Sequence, residues 1–412
     1  MLLALVLIAA PTIGPCSQLP ANHIFNTPIA DLPVHPNSAA FLQTISATPR
    51  NLHLDLGQQT DQTQADFYGI PYQVVAGGGF AWPRVRYESE GVTDDAAPDE
   101  SDCANSARAK QTPCTSAAPY FLIPPSPLVE GGIVSDQSVY GDHHILVVDS
   151  DTCLLWESYH AYPNGVGGWD ILSSAVWDLK STALRPATWT SADAAGFPIL
   201  PLLLRADEAS TGTIAHALRF TIESDTIRTS YTWPATHKTN RGDASIDKPQ
   251  MGQLFRLKAS FQAPNNWNTQ SKAIVQALKT YGMYLADGGS DMYITGDPSS
   301  DWQDSTFSQV QSIPHTHFEA VDLTPLTTHA SFDANSAAAP GVAAPTGSSG
   351  SSGGASAGGG EATPNPSGTP GGGSTNPSNE PAVKAKGCAS APASHAWWLL
   401  VAALFVRRRL RI

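Results

Sequence analysis

The chain has 412 residues, 23 Lys and Arg against 36 Asp and Glu, a formal net charge of −13 and five cysteines. An acidic balance of this size argues against nucleic acid or anionic lipid as partner, because phosphate recognition rests on basic surface. Residues 19–335 hold no G-x-S-x-G elbow, H-E-x-x-H pair, Walker loop or dinucleotide fingerprint leading into a helix, so no cofactor and no metal is assigned.

In chain order, the first ten residues are an apolar run of signal-peptide length, without a basic n-region and followed by Pro11, Gly14 and Pro15. Residues 1–18 are therefore expected to be an export signal, cleaved between Ala10 and Gln18. Cys16 stands where a lipoprotein signal carries its cysteine, but Pro15 before it disfavours that processing.

Residues 19–335 form the expected globular head, with no break of linker quality and enough chain for a substantial core in one domain or two tightly packed ones. Six of the 23 basic and two of the 36 acidic side chains lie beyond it, leaving 17 against 34 and a formal head charge near −17. Segments 71–75 and 84–88 read as strands on either side of a Gly77-Gly78-Gly79 turn. Cys103 and Cys114 flank a polar loop, and in an exported chain a disulfide closing it is expected to stabilise by about 3 kcal/mol. Residues 145–149 and 153–160 read as a hairpin about Ser150-Asp151-Thr152, with Cys153 a buried thiol. Residues 217–222 and 229–233 read as a second pair.

From Asn268 or Thr269 to Tyr284 apolar side chains recur at helical spacing, with an Asn/Thr pair to cap the start. A hairpin is expected next, its arms meeting at Gly288-Gly289-Ser290. Asp287 and Asp291 beside that turn have the oxygen chemistry to ligate a hard cation, the plain turn being the preferred reading. The fold class is α+β or mostly β, a single large β-rich head with at least one packed helix.

From 336 to 386 the chain is Gly, Ser, Pro, Ala, Thr and Asn. It cannot offset its ordering entropy and is expected to be a disordered tether with a reach of roughly 40 Å. Residues 387–412 carry Gly387-Cys388, a small-residue spacer, an apolar run from Trp397 to Val406 and the cluster Arg407, Arg408, Arg409 and Arg411. The apolar run is short of the roughly 20 residues a comfortable span needs.

These tail residues resemble the myxobacterial C-terminal sorting tail (MYXO-CTERM). The resemblance implies export, processing or lipidation at Cys388, and attachment to the cell surface, with the cell envelope or its sorting machinery as partner. The head from about 22 to 322 also resembles a widespread set of exported bacterial proteins, on Asp142 onward, 183–205, His216–Phe220 and 281–296; that likeness brings no reaction with it.

The polar block from 142 to 258 supplies the candidate site. Asp193 and Glu208 are candidate acid and base or nucleophile, a role that needs two carboxyl groups in one cleft. His216 and His237, with His143 and His144, are candidates for acid-base work because imidazole titrates near neutrality. Trp169 and Trp189 have faces on which a sugar can stack, and Arg185 and Arg219 can hydrogen-bond one. Each has an equally good reading as a structural partner within long loops. Two functions of different class follow: a carbohydrate-active enzyme, or a non-catalytic surface module that binds glycan or mediates adhesion. Either takes an extracellular glycan as partner, and the head is expected to be monomeric.

Overall fold

The run Ile145–Asp149 is apolar at every position but the last, a pattern that suits a strand covered on both faces. The computed structural model, which describes residues 10–45, 50–88, 98–136 and 141–342, shows it in that place. Cys388, Arg407, Arg408 and Arg409, the tether beyond 342 and the first nine residues lie outside the described residues.

In chain order the main elements are α1 (Ser38–Ile45), β1 (His53–Asp55), β2 (Tyr72–Val75), β3 (Ile145–Asp149), β4 (Leu154–Tyr159), β5 (Ser173–Asp178) and α2 (Ala206–Thr211). They continue with β6 (Leu218–Ile222), β7 (Leu254–Leu257), α3 (Thr269–Thr280), β8 (Met283–Gly288), β9 (Tyr293–Thr295), α4 (Asp304–Val310) and β10 (Phe318–Ala320). The head is thus mixed α+β and mostly sheet, as expected. No helix among the described residues is long and apolar enough to cross a membrane.

A four-stranded sheet runs β5-β4-β3-β2. The β3/β4 hairpin forms as its turn sequence predicts, with Asp149 opposite Leu154. Alternation along its strands serves two cores. Leu146, Val148, Leu155 and Ala175 enter the main core, while Ile145, Val147, Trp156 and Val176 enter a second one with Phe121 and Trp82. Glu157 lies on the main-core face, where it accepts from the Ile199 and Leu200 amides at 2.9 Å and from Trp177 Nε1 at 2.9 Å. Burial pushes this carboxyl up to about 7 against the pull of those donors.

A six-stranded sheet runs β10-β7-β8-β6-β9-β1. Helix α3 is capped by Asn268, whose side chain accepts from the Ser271 amide, and it buries Ala273, Ile274, Ala277 and Leu278. It ends at Thr280, four residues before the expected Tyr284, because Gly282 takes a positive φ of 75° and Met283 already begins β8.

Two expected strand pairings are corrected. β8 and β9 are not a hairpin: β6 inserts between them, parallel to β8 and antiparallel to β9. β6 does not pair with the segment after it either, since Arg228–Tyr231 lies parallel to Gln250–Met251. In both cases a buried apolar strand found longer-range partners than the nearest turn offered.

Two disulfides join Cys103 to Cys114, as expected, and Cys16 to Cys153. The second corrects the reading of Cys153 as a free thiol. It also ties residues 12–17 into the head, and Gln18 is fully buried with its amide donating to Pro201 O at 2.6 Å. At the other end Ala337 is buried and its amide donates to Thr182 O at 2.7 Å, so the packed head runs several residues past 335. Disulfides of this kind belong to chains exported to an oxidising compartment.

Candidate functional site

Three strands of the six-stranded sheet share one pattern. His53-Leu54-Asp55, Tyr293-Ile294-Thr295 and Leu218-Arg219-Phe220-Thr221-Ile222 each set apolar side chains on one face and polar ones on the other. The register places Thr221 beside Tyr293, Tyr293 beside His53 and Thr295 beside Asp55. Leu54, Leu218, Phe220, Ile222 and Ile294 enter the main core. The opposite face is therefore a polar floor, and the candidate site is built on it.

Arg219 is the centre of that floor. It is buried and donates to Asp193 at 3.1 and 3.3 Å and to Thr295 Oγ1 at 2.7 Å. Asp193 is brought there by the loop 185–198, whose Arg185 reaches Asp102 at 2.8 Å and Thr190 O at 2.7 Å. Burial pushes Asp193 up to about 7, with Arg219 pulling it down and Asp287 pushing it up further. Arg219 is itself held above its ordinary range against burial by Asp193, Asp287 and Glu130. Of these two opposed tendencies the ion pair governs above neutrality, because three carboxylates surround one guanidinium.

His144 closes the site from the second sheet. Its Nδ1 lies 2.5 Å from Glu130 Oε2 and its Nε2 lies 3.0 Å from Ala192 O. Both ring nitrogens face oxygen acceptors, so both carry protons. Burial opposes that charge, but Glu130 and then Asp142 outweigh it and raise His144 to about 9. Glu130 is lowered: burial works to raise it and the His144 charge more than offsets this.

Asp142, two residues before His144, is exposed to solvent. It is nevertheless raised to about 6, by the protein packed around it and then by the Glu130 carboxylate, with Asp287 adding to the shift. Asp55, raised by burial and by Glu130, hydrogen-bonds Tyr68, a ring half exposed at the edge of the site.

Glu130, Asp142 and His144 each offer a ligand atom, all within 4.8 Å of one another. The group does not fit a cation well, because the doubly protonated imidazole already supplies the positive charge. A metal would have to displace its proton and lie near Arg219 as well.

Of the four catalytic candidates read from the sequence, two converge. Asp193 lies on the floor, and His237 Nδ1 donates to Ala194 O at 2.8 Å in the same loop. Glu208 and His216 belong elsewhere, paired through Glu208 Oε2 and His216 Nε2 at 2.7 Å, with Arg205 on the other Glu208 oxygen. No hydrogen bond or ion pair among the described residues joins that group to Asp193 or His237.

Among the four candidate substrate-binding residues, Arg219 is on the floor but engaged with Asp193. Arg185 packs against the rings of Trp177 and Trp189 at 5.7 and 5.6 Å, so both Arg185 and Trp189 brace the loop. Trp169 begins a strand of a small three-stranded sheet and packs on the second core. Asp291 accepts from the Glu223 amide at 3.0 Å and faces Arg50, away from a shared cation site with Asp287. Sequence reasoning passed over Glu130, Asp55 and Tyr68 as site residues, and placed Asp142 in the polar block without giving it a role. The alternation repeated in three short strands was the available signal for Asp55; no such pattern marks Tyr68 or Glu130.

No family model matches the chain, and no curated protein or solved structure is significantly similar to it.

Proposed function

We propose that the head is a carbohydrate-active enzyme displayed at the cell surface, with Asp142 as general acid and Asp287 as the opposing carboxylate. The observation that carries this reading is the gathering of Asp55, Glu130, Asp142, Asp193 and Asp287 around Arg219 and His144, with Asp55, Asp142 and Asp193 raised and Glu130 lowered. Hydrolysis of a glycosidic bond needs one carboxyl that keeps its proton and one that does not. Asp142 is solvent-reached and raised to about 6, which suits the first role. Asp287 is half-buried and near enough for its charge to act on both Asp142 and Asp193.

Asp193 and Arg219 act here as positioning residues, since neither is exposed. His237 donates through Nδ1 to Ala194 O, bracing the same loop. Tyr68 offers the exposed ring. The sorting-tail likeness supports attachment to the envelope near Cys388, with the tether holding the head clear of it; the two disulfides support export.

The purified protein should release reducing ends from at least one of a panel of soluble polysaccharides and peptidoglycan fragments. Asp142→Asn and Asp287→Asn should each lower the rate at least about 100-fold. Retention of glycans without product release would establish the non-catalytic module instead.

A further inference from the structure

We propose that the head carries a second ligand site, for a single neutral polyhydroxylated ring, behind the loop that presents Asp193. A cavity of about 290 Å³ lies there, near the lower end of the range for small-molecule pockets. Its lining is largely apolar, with Leu19, Trp177, Leu184, Phe197 and Pro198, as is usual for sites that take a small molecule. Its charged side chains balance, Lys110 and Arg185 against Asp102 and Asp178, so neither an anion nor a cation is favoured over a neutral occupant.

His23 supplies the polar handle. It is 4% exposed, and its Nδ1 accepts from the Phe25 amide at 3.2 Å. The ring's proton is therefore on Nε2, which has no hydrogen-bond partner among the described residues although His23 lines the cavity. A hydroxyl oxygen of an occupant can accept from this donor in place of the cavity's solvent. Lys110 at the rim is 37% exposed; it gives one ammonium proton to Val176 O at 2.6 Å and faces Asp102 Oδ2 at 3.6 Å, keeping a third proton for a ligand.

The wall of this cavity is also the support of the candidate active site. Arg185, Pro186, Gly196 and Phe197 line it, while Asp193 and Ala194 in the same loop meet Arg219, Asp287 and His237. A sugar unit bound behind the loop would restrain it, and any resulting coupling to substrate affinity must be reciprocal. The binding itself does not depend on the catalytic reading, because it is measured whether or not the head cleaves anything.

The test is calorimetric titration of the purified protein with glucose, galactose and N-acetylglucosamine, with Trp fluorescence as a second signal. At least one sugar should bind saturably. His23→Gln and Lys110→Ala should each weaken it roughly three- to tenfold, the worth of one hydrogen bond, and Asp287→Asn should leave the affinity unchanged. Lys110→Ala alone decides the matter if His23→Gln fails to fold. Absence of saturable binding by all three sugars would overturn the proposal. So would binding that Asp287→Asn abolishes and Lys110→Ala does not change.

Discussion

Asp287 and His237 hold one residue, Ala194, by the two peptide groups that flank it. Asp287 Oδ2 accepts from the Ala194 amide at 3.2 Å, and His237 Nδ1 donates to the Ala194 carbonyl at 2.8 Å. The residue before Ala194 is Asp193, so this grip fixes where the loop enters the site. Asp287→Asn keeps an oxygen for the amide and should leave stability within about 0.5 kcal/mol while removing activity. His237→Ala leaves the carbonyl unpaired and should cost about 1 kcal/mol. Urea unfolding measures both, and hydrogen exchange at Ala194 and Ala195 should rise in the second variant only.

The Asp193–Arg219 pair predicts a different pattern. Both side chains are nearly or wholly out of water, at 0% and 4% exposed. Removing one partner strands a buried charge and should cost roughly 3–5 kcal/mol, more than removing both. Arg219→Met should therefore be more destabilising than the double variant Asp193→Asn/Arg219→Met. If the double variant is the less stable of the two in urea, the ion pair stabilises beyond mutual compensation and the estimate is wrong in sign.

What the sequence made legible was local. The β3/β4 hairpin follows from Asp149-Ser150-Asp151-Thr152, the start of α3 from Asn268, and the Cys103–Cys114 bridge from a loop of 11 residues' separation. What it hid was long-range. β6 meets β8 across more than sixty residues, and Cys16 meets Cys153 across 137, distances at which no turn chemistry constrains the partner. The candidate site suffered for the same reason. Asp193 and His237 were named because the block that holds them is rich in polar groups, and Asp287 as a cation ligand, whereas the relation of Asp142 to Asp287 appears only once two sheets bring Glu130, His144 and Arg219 beside them.

Stability should peak on the acid side of neutral. Glu157 and Asp297 are each raised to about 7, chiefly by burial, so the fold holds their protons more tightly than the unfolded chain does. Their contribution is complete below the ordinary carboxylate range and fades as pH climbs through 7. His144, raised to about 9, contributes below its ordinary 6.5 and fades as pH rises through 9. His23 acts oppositely: burial lowers it to about 3, and its contribution is lost as pH falls from 6.5 toward 3. Melting temperature should thus decline steadily from roughly pH 5 to pH 9. Asp297→Asn keeps an acceptor for the Ala206 amide, now 3.0 Å from Oδ1, and should flatten the slope between pH 4 and 7. A maximum at pH 8 would contradict the sign of these shifts.

Activity should follow Asp142. A general acid raised to about 6 works while protonated, so kcat/KM should fall as pH rises above that value. Replacing Glu130 by Gln removes the nearer carboxylate that raises Asp142 and should move this alkaline limb downward in pH. It also takes the counter-charge from His144, which should then lose its proton at lower pH. An alkaline limb that stays in place in Glu130→Gln would assign the acid to another group.

The two disulfides should differ in worth. Cys16–Cys153 closes a loop of 137 residues' separation and Cys103–Cys114 one of 11. On the chain-entropy account these stabilise by about 5 and about 3 kcal/mol. The longer bridge has a second consequence, because it anchors the segment whose Thr12 carbonyl and Gln18 side chain surround the Arg205 guanidinium. Losing it frees that segment and leaves a fully buried arginine with Glu208 as its main counter-charge. The variant Cys16→Ser/Cys153→Ser should therefore unfold at lower urea than Cys103→Ser/Cys114→Ser, and limited proteolysis should cut it between Pro11 and Leu19 before anywhere else in the head. Equal midpoints for the two variants, with no early cut near the N-terminus, would show that packing alone holds the segment in place.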